Sequence, residues 1–252
     1  MNAPEEILKV WRKFDHFPME TLTKAWYYQQ NTASKQRDVS LMKEHREQYG
    51  ITGNCFDLSL WLLDEFEQEG IEAFPVGHDL GTPDAHVAVI AKSEHGYRYF
   101  CDLGDQWLNP VLIDSDCEDF HTDKLRGFFP AAEIQVNAEG NVLKVQYHRP
   151  NGKMSQQDFV TTPIAITDLW KAAEISQNTI KQRPLLECRI PFKDEIAHWE
   201  FYNWSSVLST TQGLYEEPAT EDIKQWCTRI HNKTGYDKTM LSEALHFYKS
   251  MQ

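Results

Sequence analysis

No window of this sequence reaches the ~18 consecutive apolar residues of a membrane-spanning helix, so no helical span is expected. The opening residues, MNAPEEILKVWRKF, carry acidic groups in a helical pattern and lack the apolar centre of a secretion signal. The expected location is cytoplasmic. Cysteines are few: those at 55, 101, 117, 188 and 227 are odd in number, with no CxxC pair among them. In a reducing compartment this pattern gives free thiols rather than a disulfide framework, and a small buried hydrophobe is the default reading for each. Positive charge is also short, with 25 Lys and Arg against 38 Asp and Glu and a formal net charge of −13. A general nucleic-acid binder needs a surplus of Lys and Arg on one face, so nucleic acid is not an expected partner. The acidity reads most simply as a solubility feature. Glycines are scattered, without a phosphate-loop or dinucleotide fingerprint. No Gly/Ser linker, low-complexity tract or internal repeat divides the chain.

What is present suffices for a sizeable core. The 252 residues are 41% hydrophobic and 12% aromatic, with eight tryptophans, which argues for a folded globular chain. Residues 1–50 read as helical. Ile7, Leu8, Trp11 and Phe14 recur at helical spacing, METLTKAWYYQQ resumes the pattern after Pro18, and DVSLMKEHREQY ends at Gly50. Phe56, Leu60, Leu63 and Phe66 form the stripe of a further helix that Thr52 or Asn54 can cap and Gly70 can stop. The period then shortens. IEAFPVG (71–77), HVAVIAK (86–92) and YRYFCDL (97–103) look like strands, and AAEIQVN, NVLKVQYHR and MSQQDFVTT like a three-stranded meander. A helix around TDLWKAAEIS follows, then two strand-like runs, RPLLECRI and HWEFYNWSSVLST. Two helical segments, ATEDIKQWCTRIHNKTG and KTMLSEALHFYKS, close the chain. Helices, then antiparallel strands, then mixed elements define an α+β fold with segregated layers rather than a βαβ repeat. The expected divisions are a helical region over 1–70, an antiparallel β region over 71–165 and an α/β region over 166–252.

The chemistry starts at TGNCFDLSLWLLDEF (52–66), where a cysteine falls in the first turn of a helix instead of on its apolar stripe. The unpaired N–H groups and dipole of a helix N-terminus favour a thiolate. A cysteine nucleophile also needs a base and a group to orient that base. HVAVIAKSEHGYRYFCD offers both. If EHG (94–96) forms a three-residue loop with Gly96 left-handed, Ser93 pairs with Tyr97, Ala88 faces Asp102 and His86 sits opposite Gly104. His86 and Asp102 are then diagonal neighbours on one face, and a slip of one residue would separate them. Asp102 lies in the apolar run FCDLG, where a carboxylate needs a partner. Gly104 leaves room for a third element, such as the start of the Cys55 helix. The weaker candidates stay weak. Cys101, Cys117 and His121 lack structural-zinc spacing, so no metal is expected, and DSDCEDFHTD (114–123) lacks the glycine and terminal glutamate of a calcium loop.

The segments NCFDLSLWLL (54–63), AHVAVIAKSEHGYRYFCDLGDQWLNPVLI (85–113) and, more weakly, FPMETLTK (17–24) together resemble the arylamine N-acetyltransferases. The resemblance is good from about 17 to 113 and architectural afterwards. It implies a helical bundle, a central antiparallel β-barrel and a C-terminal α/β lid, a papain-like cysteine-enzyme architecture. It also implies Cys55 as nucleophile, His86 as base and Asp102 as orienting acid. Acetyl-CoA would be the co-substrate, and an arylamine, hydrazine or similar small-molecule amine would accept the acyl group. From the helix start itself, the backbone N–H of Phe56 is the expected oxyanion donor. The family's Arg-Gly-Gly before the cysteine is Ile51-Thr52-Gly53 here, its Glu and Asn after Cys-Phe are Asp57 and Ser59, and its Gly-Phe-Gly is Gly104-Asp105-Gln106. These differences are expected to line the mouth of the site. The acidic balance offers no obvious basic cradle for the phosphates of CoA. A transglutaminase-like thiol hydrolase or amidase, and a non-catalytic binding protein on the same fold, are the alternatives.

Overall fold

The computed structural model describes residues 2–252. Its helices begin with α1 (Glu5–Trp11), entered through Pro4 and continued by a 3-10 turn over Arg12–Phe14. The second expected helix starts late. Met19–Glu20 instead form a short strand, β1, and α2 runs from Leu22 to Tyr28. The reason is tertiary, because Met19 pairs with Glu187 and Glu20 with Leu186, far along the chain. Next come α3 (Val39–Tyr49), capped by Asp38 and stopped by left-handed Gly50, and α4 (Cys55–Gln68).

Strands β2 (Ala73–His78), β3 (His86–Lys92), β4 (Arg98–Cys101) and β5 (Val111–Leu112) make one antiparallel sheet in sequence order. A second holds β6 (Leu125–Phe129), β7 (Ala132–Glu139), β8 (Val142–His148) and β9 (Met154–Val160). The expected meander is thus four-stranded, and among the described residues no hydrogen-bonded pairing closes the two sheets into a barrel. After α5 (Ile166–Asn178) the chain forms β10 (Leu185–Phe192), β11 (Glu195–Tyr202), β12 (Ser205–Thr210) and β13 (Gly213–Glu216), in a third sheet ordered β1-β10-β11-β12-β13. HWEFYNWSSVLST, read from sequence as one run, is a hairpin. It turns at Asn203 and Trp204, whose φ values of 47° and 66° match the paired left-handed residues of a type I′ turn. Helices α6 (Ile223–Thr234) and α7 (Lys238–Ser250) finish an α+β chain.

Two apolar cores hold these layers. One joins Ile7, Trp11, Phe56, Phe66, Phe100, Trp107, Val145 and Leu169 across α1, α4, the first two sheets and α5. The other joins Leu22 and Ile51 to Trp199, Phe201, Trp226 and Leu241. Helix α2 and the segment before α4 therefore belong to the C-terminal core, while α1 and α4 belong to the β sheets. Each fully buried aromatic of this kind contributes roughly 1.5–3 kcal/mol, so both attachments hold the start of α4 firmly. Among the described residues no helix is long and apolar enough to cross a membrane.

Candidate active site

Helix α4 starts at Cys55 because Asn54 makes it start there. The Asn54 side chain accepts from the N–H groups of Phe56 (3.0 Å) and Asp57 (3.2 Å), and the Asp57 carboxylate accepts from the Asn54 N–H (3.1 Å). This reciprocal box satisfies donors that a helix start otherwise leaves unpaired. The Phe56 N–H, the expected oxyanion donor, is engaged by Asn54 in this box. The Asp57 carboxylate is buried and receives Gln36 Nε2 at 3.0 Å and Gln177 Nε2 at 2.9 Å, with Arg37 Nη2 at 3.4 Å. Two segments, the loop before α3 and helix α5, are thereby tied to the turn of α4 that carries Cys55.

The hairpin β3–β4 takes the register read from its sequence. Val89 pairs with Cys101 and Lys92 with Arg98, Ser93 N–H donates to Tyr97 O at 2.9 Å, and Gly96 is left-handed at φ 83°. Carried past the last pair, that register sets Asp102 diagonal to His86. His86 Nε2 lies 2.8 Å from Asp102 Oδ2, and Asp102 is fully buried. The second Asp102 oxygen accepts from the Asp105 N–H at 3.0 Å. Because a carboxylate only accepts, Nε2 carries the proton, and Nδ1 is left as the basic nitrogen.

Cys55 meets this pair at Gly104. A Cβ placed on Gly104 would lie 2.8 Å from Cys55 Cβ, 2.8 Å from His86 Cε1 and 3.1 Å from Asp102 Oδ1. Burial pulls the His86 ring down in pKa. The charges of Asp102 and Asp105 and the bond to Asp102 outweigh it, so the ring stands well above the usual histidine value.

Of the six positions expected at the mouth, five face inward. Ile51 belongs to the C-terminal core; Thr52 bonds to Pro18 O and the Tyr236 hydroxyl. Asp57 is in the helix cap, and Ser59 donates to Val87 O. Gln106 bonds to Leu103 O and Phe17 O. Each is buried and satisfies backbone or packing at the root of the site. Only Asp105 lines the cavity, its Oδ1 3.9 Å from His86 Nε2. Burial, followed by the charge of Asp102, pushes Asp105 up to about 6. His86, Asp102 and Asp105 bring one donor atom each within 4.8 Å of one another, but a cation there would have to break the 2.8 Å bond of the dyad.

The rest of the site comes mostly from residues that sequence patterns did not single out, although HWEFYNW (198–204), which holds His198, reads first as a packed strand and second as part of an acceptor pocket. Phe159, on β9, packs its ring 6.0 Å from that of His86, and His78 on β2 stands 5.9 Å away. A cavity of about 560 Å³ opens beyond Asp105, lined by Tyr147, Gln157, Glu187 and His198 among others. Glu187 is pushed up to about 8 by burial and by neighbouring Asp105 and Glu200; His198 is pulled down to about 4 by burial and Arg149. Buried polar groups in strand-like runs were the available signal, but their period-2 pattern read first as sheet faces. Of the other cysteines, Cys101, Cys188 and Cys227 are buried in the cores.

Fold and site together define an α+β protein with a cysteine at a helix start facing a histidine–aspartate pair. Among solved structures, the architecture is that of the arylamine N-acetyltransferases. The Salmonella typhimurium enzyme superposes with a TM-score of 0.71 at 12% identity, over 94% of this chain and 89% of that one. The Mycobacterium tuberculosis enzyme gives 0.71 at 13%, over 96% and 94%. The Mycobacterium marinum enzyme in complex with CoA gives 0.69 at 12%, over 96% and 90%. No protein-family sequence model matches the chain, and no curated protein sequence matches it. The likeness lies in the fold.

Proposed function

We propose that this protein is a divergent arylamine N-acetyltransferase-type enzyme that moves an acetyl or other short acyl group from an acyl-CoA, through a thioester on Cys55, to a small amine. The observation that carries this reading is the meeting of Cys55, His86 and Asp102 around Gly104 on that fold.

In the first half-reaction His86 Nδ1 takes the thiol proton, and the sulfur attacks the thioester carbonyl of the donor. The carbonyl oxygen becomes an oxyanion. The donor's C–S bond then breaks, and the departing thiolate takes the proton back from His86. In the second half, the nitrogen of the acceptor amine attacks the Cys55 thioester and gives up a proton through His86. The C–S bond breaks, Cys55 recovers its proton and the amide leaves. Asp102 holds the ring so that Nδ1 faces sulfur and stabilises the imidazolium as it forms. With the Phe56 N–H engaged by Asn54, the Cys55 N–H, which meets no acceptor among the described residues, is the donor at the helix start for the oxyanion.

The test is incubation with acetyl-CoA and mass spectrometry of the intact protein, with Cys55→Ala as control. A single acetyl group on Cys55 that passes to an added arylamine is the expected result. Cys55-dependent cleavage of amides or activated esters without a stable adduct would turn the reading towards a hydrolase. Alkylation of Cys55 no faster than that of a free thiol, unchanged in His86→Ala, would sink both in favour of a binding protein.

A further inference from the structure

Three acids meet in the cavity beyond the catalytic pair. Glu187 on β10 is paired directly with Glu200 on β11, and both line the cavity together with Asp105. Like charges set opposite each other on one sheet face are destabilising. The acids are within reach of a ligand, since the side chains of Asp105 and Glu187 keep 27% and 20% of their surface exposed.

No Lys or Arg pairs with any of the three among the described residues. The one ion-pair contact of Glu187 is His198 Nε2 at 4.0 Å, an imidazole left neutral by a value pulled down to about 4. Glu200 is raised by burial, with no charged partner to offset it. Arg189 shares the sheet face two residues along from Glu187, but its two Nη atoms donate to Trp107 O and Phe14 O. Of the cations on the cavity wall, Arg149 bonds to Ser155 Oγ at 2.8 Å, and Lys153 is exposed between β8 and β9. After burial, the charges acting on Glu187 are those of Asp105, Glu200, His86 and Asp102, and on Asp105 those of Asp102, His86 and His78.

Their position gives these acids a task. Asp105 Oδ1 lies 3.9 Å from His86 Nε2, one residue beyond the glycine around which Cys55, His86 and Asp102 meet. A group that neutralises Asp105 and Glu187 therefore stands beside an acyl group on Cys55. Glu187 and Glu200 join no cluster tight enough for a metal ion among the described residues, so an organic cation suits their spacing better. A protonated amine is compact, donates three hydrogen bonds and bridges carboxylates on separate walls. The cavity, at about 560 Å³, also has room for a carbon chain between two amino groups.

We infer that the acceptor is an aliphatic amine with a second, protonated amino group, which Glu187 and Asp105 hold in the cavity while the free amine meets the acyl group on Cys55. Glu200 adds to the field that draws it in. The reacting amine loses its surplus proton to water before it attacks, and the steps at Cys55 are otherwise unchanged. The acceptor assignment rests on the acyltransferase reading; the cation subsite does not.

Diaminobutane titrated calorimetrically into the full chain, without an acyl donor, reads the subsite apart from any chemistry. One-to-one binding that weakens with salt is expected, reduced ~10-fold or more in Glu187→Gln. The amines stay charged, with values near ~10, whereas the acids bind a cation only when ionised. Affinity should therefore rise as pH passes the values of about 6 for Asp105 and about 8 for Glu187. Near neutral pH, binding should release a proton, read as a heat that changes with the ionisation enthalpy of the buffer. No heat at ~10 mM diaminobutane, or equal affinity and proton release in Glu187→Gln, overturns the subsite. The acceptor link is read separately, as the ratio of the rates at which acetyl leaves Cys55 for diaminobutane and for aniline, a neutral amine. That ratio should fall ~10-fold in Glu187→Gln. An unchanged ratio alongside lost diaminobutane binding overturns the link. If acetyl-CoA leaves no acetyl group on Cys55, the transferase reading fails and the acceptor assignment with it, while the calorimetry still decides the subsite.

Discussion

His86 Nε2 and Asp102 Oδ2, sixteen residues apart on a hairpin whose three-residue turn ends in left-handed Gly96, stand 2.8 Å from each other. The bond fixes which imidazole nitrogen is basic, because a carboxylate can only accept. It also supplies much of the charge that raises His86 against the pull of burial.

Asp102→Asn keeps the shape and removes that charge. The amide can present its NH₂ to Nε2 and leave the proton on Nδ1, the wrong side for Cys55. Transfer of acetyl from acetyl-CoA to Cys55 should slow by ~10²–10⁴-fold, with the melting temperature changed far less. Stopped reactions followed by intact mass give the rate. A loss under about threefold would mean that Asp102 does not orient the ring.

Gly104→Ala tests the closeness of the three side chains. The new methyl would sit 2.8 Å from both Cys55 Cβ and His86 Cε1, nearer than real Cβ contacts come. The helix start and the ring must then separate. A displacement of ~1 Å is worth ~10²-fold in rate, and iodoacetamide labelling of Cys55 should slow alongside acetylation. Unchanged labelling would place Cys55 away from His86.

Asp57→Ala removes the acid that ties Gln36, Arg37 and Gln177 to the start of α4. Breaking a buried pair on one side costs about 3–5 kcal/mol, because Arg37 and two amides lose their acceptor together. Urea denaturation should show a drop of that order, far beyond the ~1 kcal/mol of a lost surface helix cap. A loss confined to the smaller figure would mean that the network relaxes without it.

Glu187 and Asp105 give a pH dependence with a definite sign. Both acids are raised in the folded chain, to about 8 and about 6, chiefly by burial. The folded state therefore holds protons that the unfolded state, with carboxyls near ~4, releases. Their penalty is absent below ~4, grows as pH rises and is complete above the folded values. Stability should fall between pH 5 and 8 on their account. His86 has the same sign, its contribution being full below ~6.5 and lost as pH passes its raised folded value. Glu187→Gln should raise the melting temperature by a few degrees at pH 8 and leave it unchanged at pH 4. An equal shift at both pH values would point to packing instead.

Local chemistry made much of this protein legible in its sequence. Period and capping residues placed α4 with its cysteine at the first turn, and the EHG loop with its glycine set the β3–β4 register. Those features depend on neighbours within a few residues, where backbone preferences decide. The strand at Met19–Glu20, the hairpin inside HWEFYNWSSVLST and the split of the β region into two sheets depend on partners far along the chain, and no local period encodes them. At the site the division is the same. Cys55, His86 and Asp102 were readable from type and spacing, while Phe159 beside His86 and Glu187 and His198 in the cavity with Asp105 acquire meaning only when distant strands bring them there. The net charge shows the difference most plainly: a sum of −13 is fixed by composition, but only folding gathers five Arg and Lys side chains and three acids around one cavity between β6–β8 and the β10–β11 hairpin.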